Sequence, residues 1–122
     1  MNKKVLIADD EQNIVISLEF LMKREGFEVL VANDGDEAIQ RIRAERPDLV
    51  LLDVMMPKKS GFEVCQEVKA DPALAAVRIL MLTAKGRDTE VAKGLALGAD
   101  AYMTKPFSTR ELVDKVRSLL EQ

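Results

Sequence analysis

Three acids, Asp9, Asp10 and Glu11, follow directly on an apolar run at residues 5–8, in the stretch VLIADDEQ. Adjacent carboxylates repel one another, so gathering them beside a core-forming run needs a reason. Polar groups close other apolar runs as well: Asp53 in LVLLDVMMPKKSG, Thr83 and Ala84 in ILMLTAKG, and Thr104, Lys105 and Pro106 in AYMTKPF. Taken singly, each has an ordinary reading: a helix cap, a turn former, a core-edge hydroxyl, a solvated lysine, a chain breaker. Together they place three aspartates, a hydroxyl and a lysine at the ends of four runs. That set suits oxygen-only coordination of a hard divalent cation. Mg²⁺ takes one or two carboxylates, several waters and a phosphate oxygen. Without a cation the aspartates repel, and at least one is driven toward its protonated form. With one, they form a docking place for a phosphoryl group, to which Lys105 adds a compact positive charge and Thr83 a donor. Phosphoryl transfer asks for little beyond positioning and charge neutralisation. Asp53, between the first acids and the Thr83–Lys105 pair, is the natural nucleophile.

The elements that must hold these groups read as strands alternating with helices. Short apolar runs occur at residues 5–8, 29–32, 49–52, 79–82 and 101–103. Two of them, 49–52 and 79–82, are continuously apolar, as in parallel strands covered on both faces. Between the runs the spacing is helical. Ile14, Leu18, Leu21 and Met22 share a face of a first helix that Gly26 ends. Ala38, Ile39 and Ile42 mark a second, which Pro47 stops. Val64, Cys65 and Val68 mark a third, closing near Asp71-Pro72. A fourth spans about residues 88–97 and contains Gly94. The last turns Leu112, Val116, Leu119 and Leu120 inward, with Ser108 or Thr109 as N-cap and Glu111 in its first turn. Asn33-Asp34-Gly35, after the second run, looks like a simple turn. Five such βα units imply a parallel sheet with helices on both faces, and ligands in such folds sit at the carboxyl ends of the strands. Periodicity leaves the strand order open.

Composition narrows the function classes. The 122 residues suit one domain over 1–122, with 48 % hydrophobic and 32 % charged residues. Net charge is -3 with scattered Lys and Arg, so no basic face argues for nucleic acid. No apolar run approaches the roughly 20 residues of a membrane span. Cys65 is the single cysteine, which excludes an internal disulfide and suits a reducing cytoplasm. With no histidine, zinc and haem sites of the usual kind are excluded.

The ordered set from KVLIADDE through LVLLDVMMPKKSGFEV and ILMLTAKG to GADAYMTKPFSTREL resembles the receiver domains of two-component response regulators, along the whole chain. The resemblance implies a flavodoxin-like (βα)₅ fold with strand order 2-1-3-4-5; the chemotaxis receiver is a standard example of that order. It implies that Asp53 accepts a phosphoryl group from a phosphohistidine on a sensor histidine kinase or histidine phosphotransfer protein. Asp10, Asp53 and the Met55 carbonyl would bind Mg²⁺, or Mn²⁺ in its place, and Asp9 would act mainly through water. Thr83 and the Ala84 amide would hold phosphoryl oxygens, and Lys105 would pair with another. The Lys105-Pro106 bond would be cis. Thr83 and Tyr102 would form a switch pair that reshapes the face of helix four, strand five and helix five for a downstream partner. Met55 and Lys85 would govern water access to the acyl phosphate.

Departures matter too. Regulators that dimerise through that face often carry GADDY and a basic last helix; here the motif is GADAY, with Asp114 and Glu121 in the helix. That points away from the dimer and from direct nucleic-acid binding, toward a monomer or a weak phosphorylation-dependent dimer. Lys58 and Lys59 read as solvated loop charges. A Mg²⁺-dependent phosphohydrolase would place a second acid two residues after the nucleophile, where this chain has Met55. A pseudo-receiver would lack an aspartate, and all are present. A P-loop or dinucleotide site needs glycines, not acids, after the first strand. The chain is expected to catalyse only its own phosphorylation and dephosphorylation.

Overall fold

The computed structural model describes residues 2–84 and 88–121. Five strands, β1 (Lys4–Ala8), β2 (Glu28–Ala32), β3 (Leu49–Asp53), β4 (Arg78–Ala84) and β5 (Ala101–Lys105), alternate with five helices. The helices are α1 (Gln12–Arg24), α2 (Gly35–Glu45), α3 (Gly61–Ala70), α4 (Asp88–Ala96) and α5 (Thr109–Leu120), with a 3₁₀ turn at Pro72–Leu74 before β4. All strands are parallel in the order β2-β1-β3-β4-β5. The flavodoxin-like (βα)₅ architecture expected from the resemblance is therefore what the chain adopts.

The alternation of side chains along buried strands divides the core in two. Val5, Ile7, Leu49, Leu51, Leu80 and Leu82 meet α1 and α5 through Leu18, Met22, Leu112 and Val116. Leu6, Ala8, Val50, Leu52, Ile79 and Met81 meet α2 and α3 through Ile39, Ile42, Val64 and Val68 on the other face. Each fully buried Leu or Ile side chain contributes about 1.5–3 kcal/mol. The strands run past their apolar stretches: Asp53 still pairs with Leu82, Thr83 with Thr104 and Ala84 with Lys105. The site residues on these strands are thus the last rungs of the ladder rather than loop residues.

Helix ends follow local chemistry. Gly26 at φ +92° lets the chain leave α1, and Arg46 at φ +46° closes α2 before Pro47. Ser108 caps α5 by accepting from the Glu111 amide at 3.0 Å. The α1 face is rotated slightly from expectation, since Val15 is buried and Ile14 only partly; Leu120 is likewise half-buried. In α4, Gly94 is the buried residue, so little side-chain packing anchors that helix.

Candidate functional site at the carboxyl end of the sheet

Backbone contacts fix where the site begins. The Asp9 amide donates to the Ala32 carbonyl at 3.3 Å, extending the β1–β2 ladder by one step, and the Val54 amide donates to Leu82 at 3.3 Å. Gly61 starts α3 against the end of β3: a Cβ there would stand 2.2 Å from the Asp53 carbonyl oxygen. Its amide instead donates to the Val54 carbonyl at 2.9 Å. Ser60 and Glu63 close a capping box just before it. The sequence SG thus clamps the chain right after Asp53.

Asp9 is fully buried, Asp53 is 6 % exposed and Asp10 stands on the exposed rim. One carboxylate oxygen from each lies within 4.8 Å of the others. Asp9 Oδ1 accepts from the Glu11 amide at 2.9 Å and Oδ2 from Lys105 Nζ at 3.0 Å. Lys105 Nζ is also 3.4 Å from Asp53 Oδ1 and 3.7 Å from Glu11 Oε1. Burial, and then the neighbouring Asp9 charge, push the Asp53 carboxyl from its ordinary 3.8 up to about 6, although Lys105 and the Met55 amide pull it down. Burial lowers the Lys105 ammonium, but its bond to Asp9 and the charges of Asp53, Asp9 and Glu11 outweigh that and raise it overall.

Among the described residues, one ammonium among three aspartates leaves an excess of two negative charges. The all-oxygen donor set, clustered this tightly, fits a hard divalent cation such as Mg²⁺. Asp10 and Asp53 open on a pocket of about 250 Å³ lined also by Glu11, Val54, Met55, Ala84, Glu90 and Lys105.

Thr83 is buried, and among the described residues its Oγ1 makes a long 3.5 Å bond to the Met103 carbonyl. Ala84 is exposed at the end of β4. Tyr102 is 43 % exposed and lies with Leu95, Thr104, Glu111 and Lys115 in a groove between α4 and α5, away from the acids. The Lys105-Pro106 bond is cis. Lys85 lies outside the described residues.

Some participants were not singled out by sequence. Glu90 and Val54 line the pocket, and Glu90 follows Asp88 in the first turn of α4, a place where acids are ordinary. Lys58 and Lys59 are loop charges in contact with solvent, as read, and each also finds an acid: Lys58 Nζ lies 3.6 Å from Asp34, and Lys59 Nζ donates to Glu67 at 2.6 Å. Asn33-Asp34-Gly35 is more than a turn, because the Asp34 side chain caps α2 through the Glu37 amide at 2.8 Å. Glu11 is the N-cap of α1 but makes no side-chain cap bond.

The model of the response regulator receiver domain family matches residues 5–117. The chain belongs to that family. Receiver domains are signalling switches of two-component systems rather than conventional enzymes. The receiver is 47 % identical over 122 residues, its whole length, to the alkaline phosphatase synthesis transcriptional regulatory protein PhoP of Bacillus subtilis, and spans about half (50 %) of that relative. A solved candidate response regulator from Chloroflexus aurantiacus is 35 % identical, with a TM-score of 0.96 and 100 % of both chains covered. The chemotaxis protein CheY4 of Vibrio cholerae is 31 % identical, with a TM-score of 0.90, covering 98 % of this receiver and 99 % of that chain. Among the described residues, no helix is long and apolar enough to cross a membrane.

Proposed function

We propose that the receiver is a phospho-accepting switch in which Asp53 takes a phosphoryl group from a phosphohistidine on a sensor histidine kinase or histidine phosphotransfer protein. The observation that carries this reading is the cluster of Asp9, Asp10 and Asp53 oxygens within 4.8 Å, with Lys105 against Asp53 at 3.4 Å. An Asp53 oxygen forms a bond to phosphorus as the P–N bond breaks, and the departing imidazole takes up a proton. Asp10, Asp53 and the Met55 carbonyl would hold Mg²⁺, or Mn²⁺ in its place. When bound, the cation neutralises charge on the phosphoryl oxygens and on the acids. Asp9, engaged with Lys105 and the Glu11 amide, orients the lysine and would act on the cation mainly through water.

Lys105 supplies charge to one phosphoryl oxygen, and Thr83 and the Ala84 amide supply donors to the others. The long Thr83–Met103 bond is easily given up. As the hydroxyl turns toward the phosphoryl group, Tyr102 moves from its exposed position into the space left behind. The face of α4, β5 and α5 then changes for a downstream partner, by a shift of population. Return to the resting state is hydrolysis: water attacks phosphorus, phosphate leaves and the Asp53 carboxylate is restored. Met55, 70 % exposed at the mouth, governs the approach of that water. The setting is cytoplasmic, with the receiver as a monomer or a weak dimer that forms on phosphorylation.

The test is incubation with acetyl phosphate and Mg²⁺, read by intact mass. Gain of one phosphoryl group per chain, absent without Mg²⁺ and absent in Asp53→Asn, is expected; undiminished labelling of Asp53→Asn overturns the assignment. The 47 % identity to a transcriptional regulatory protein favours a second reading of the output, in which the altered face controls a DNA-binding segment rather than a separate protein.

A further inference from the structure

The turn after β2 reaches the β3–α3 loop through backbone atoms. The Gly35 amide donates to the Pro57 carbonyl at 3.2 Å, and the Lys59 amide donates to that same carbonyl at 2.8 Å. A Cβ on Gly35 would stand 2.1 Å from the Lys59 carbonyl oxygen, 2.5 Å from its Cβ and 2.7 Å from its carbonyl carbon. No side chain can move to relieve the first and last of those contacts, because both partners are main chain. The loop between is tightly wound, with Lys58 at φ +69°. From outside, Lys58 pairs with Asp34 at 3.6 Å, while Lys59 and Arg43 both meet Glu67, tying α2 to α3 across the loop. The loop's other end is fixed by Gly61 against the Asp53 carbonyl. Between these two clamps lies Met55, two residues beyond Asp53 and beside it in the lining of the acidic pocket.

We propose that Gly35 is a positioning residue for the phosphoacceptor site: the missing side chain lets the start of α2 seat residues 57–59, and through them set where the Met55 amide and carbonyl stand beside Asp53. This rests on the metal-assisted reading of Asp53 above. Gly35 touches neither the phosphoryl group nor the cation. Its effect passes through the loop, as outer groups around a metal orient the groups that ligate it.

The experiment uses the full chain and Mg²⁺ alone as the probe. Mg²⁺ affinity by calorimetry and labelling rate from acetyl phosphate are measured for the wild type, for Gly35→Ala and for Ile42→Val, which trims the buried core side of the same helix without touching the loop. Gly35→Ala is expected to weaken Mg²⁺ binding about tenfold or more, and Ile42→Val to leave it unchanged. Coupling is reciprocal, so Mg²⁺ is expected to slow hydrogen exchange at the wild-type Gly35 amide along with that at Met55. That second measurement decides the matter if Gly35→Ala does not fold. Mg²⁺ affinity of Gly35→Ala within twofold of wild type overturns the proposal, as does unchanged Gly35 exchange alongside slowed Met55 exchange. A wild type that neither binds Mg²⁺ nor takes a phosphoryl group would instead sink the underlying reading, which keeps the two failures apart.

Discussion

Lys105 and Asp9, 96 positions apart, meet in a 3.0 Å hydrogen bond that ties β5 to the end of β1 across β3 and β4. Asp9 is fully buried, so the lysine is what balances its charge when no cation is near. Removing one partner of such a pair leaves a charge stranded. Lys105→Met should therefore lower stability by about 2 kcal/mol in metal-free buffer. The loss should shrink when Mg²⁺ is added, because the cation takes over the balancing. Urea unfolding with and without Mg²⁺ reads both numbers. Equal losses in the two buffers would argue that Lys105 does not share the acids with a cation.

Asp53 shows the opposite sign of effect. Its carboxyl titrates near 6 in the fold and near 3.8 as an ordinary side chain, so the folded chain holds that proton more tightly than the unfolded one. The group therefore costs stability above pH 6, and the cost fades as pH falls through 6 toward 3.8. At pH 7.5 without Mg²⁺, Asp53→Asn should be more stable than wild type by up to about 3 kcal/mol. The gain should narrow at pH 5 and in Mg²⁺. Thermal unfolding at the two pH values checks this, and a destabilised Asp53→Asn at pH 7.5 would contradict it.

Gly94 sits in the helix least secured by buried side chains. A Cβ there would meet Met81 Cγ at 3.4 Å and Phe62 Cε1 at 3.8 Å, ordinary contacts that leave room for a methyl group. Gly94→Ala should then gain about 0.5–1 kcal/mol from helix propensity. Amide exchange within α4 should slow with it. A loss of stability would mean that packing against Met81, not helical looseness, selects glycine at this position.

At the other end of the sheet, Asp100 Oδ2 accepts from Lys69 Nζ and from the Ile79 amide, each at 2.8 Å. Lys69 also donates to the Val77 carbonyl at 3.0 Å. Asp100→Ala leaves a partly buried ammonium and amide short of a partner and should cost about 2 kcal/mol. Mg²⁺ affinity should stay as it is, since the acids lie at the opposite strand ends. A changed Mg²⁺ titration in this variant would reveal coupling along the sheet.

Much of this layout was legible in the sequence because buried parallel strands leave continuous apolar runs and helices leave periodic ones. Asp9, Asp10, Asp53, Thr83 and Lys105 stood out because each closes such a run. The apolar runs stop one or two residues short, yet the polar residues that close them, Asp53, Thr83 and Lys105, were read as strand ends and are among the last paired residues of those strands. The role proposed for Gly35 was invisible for a physical reason: its amide bonds the Pro57 carbonyl and its bare Cα leaves room for the Lys59 carbonyl, and a backbone contact has no signature in residue type. The outward stance of Tyr102 is a choice between two positions of one ring, which pattern cannot decide. The strand order came with the resemblance, since register between distant strands is set by how helices pack over both faces.

Chain order has a consequence for biosynthesis. Asp9, Asp10 and Asp53 all leave the ribosome before Lys105 does, and β5 pairs only with β4, at the edge of the sheet. Until that edge strand docks, Lys105 is missing from among the three acids, and ions from solvent would have to take its place. Translation in a magnesium-rich medium would thus help the first half of the sheet close before the chain's own counter-charge has been made.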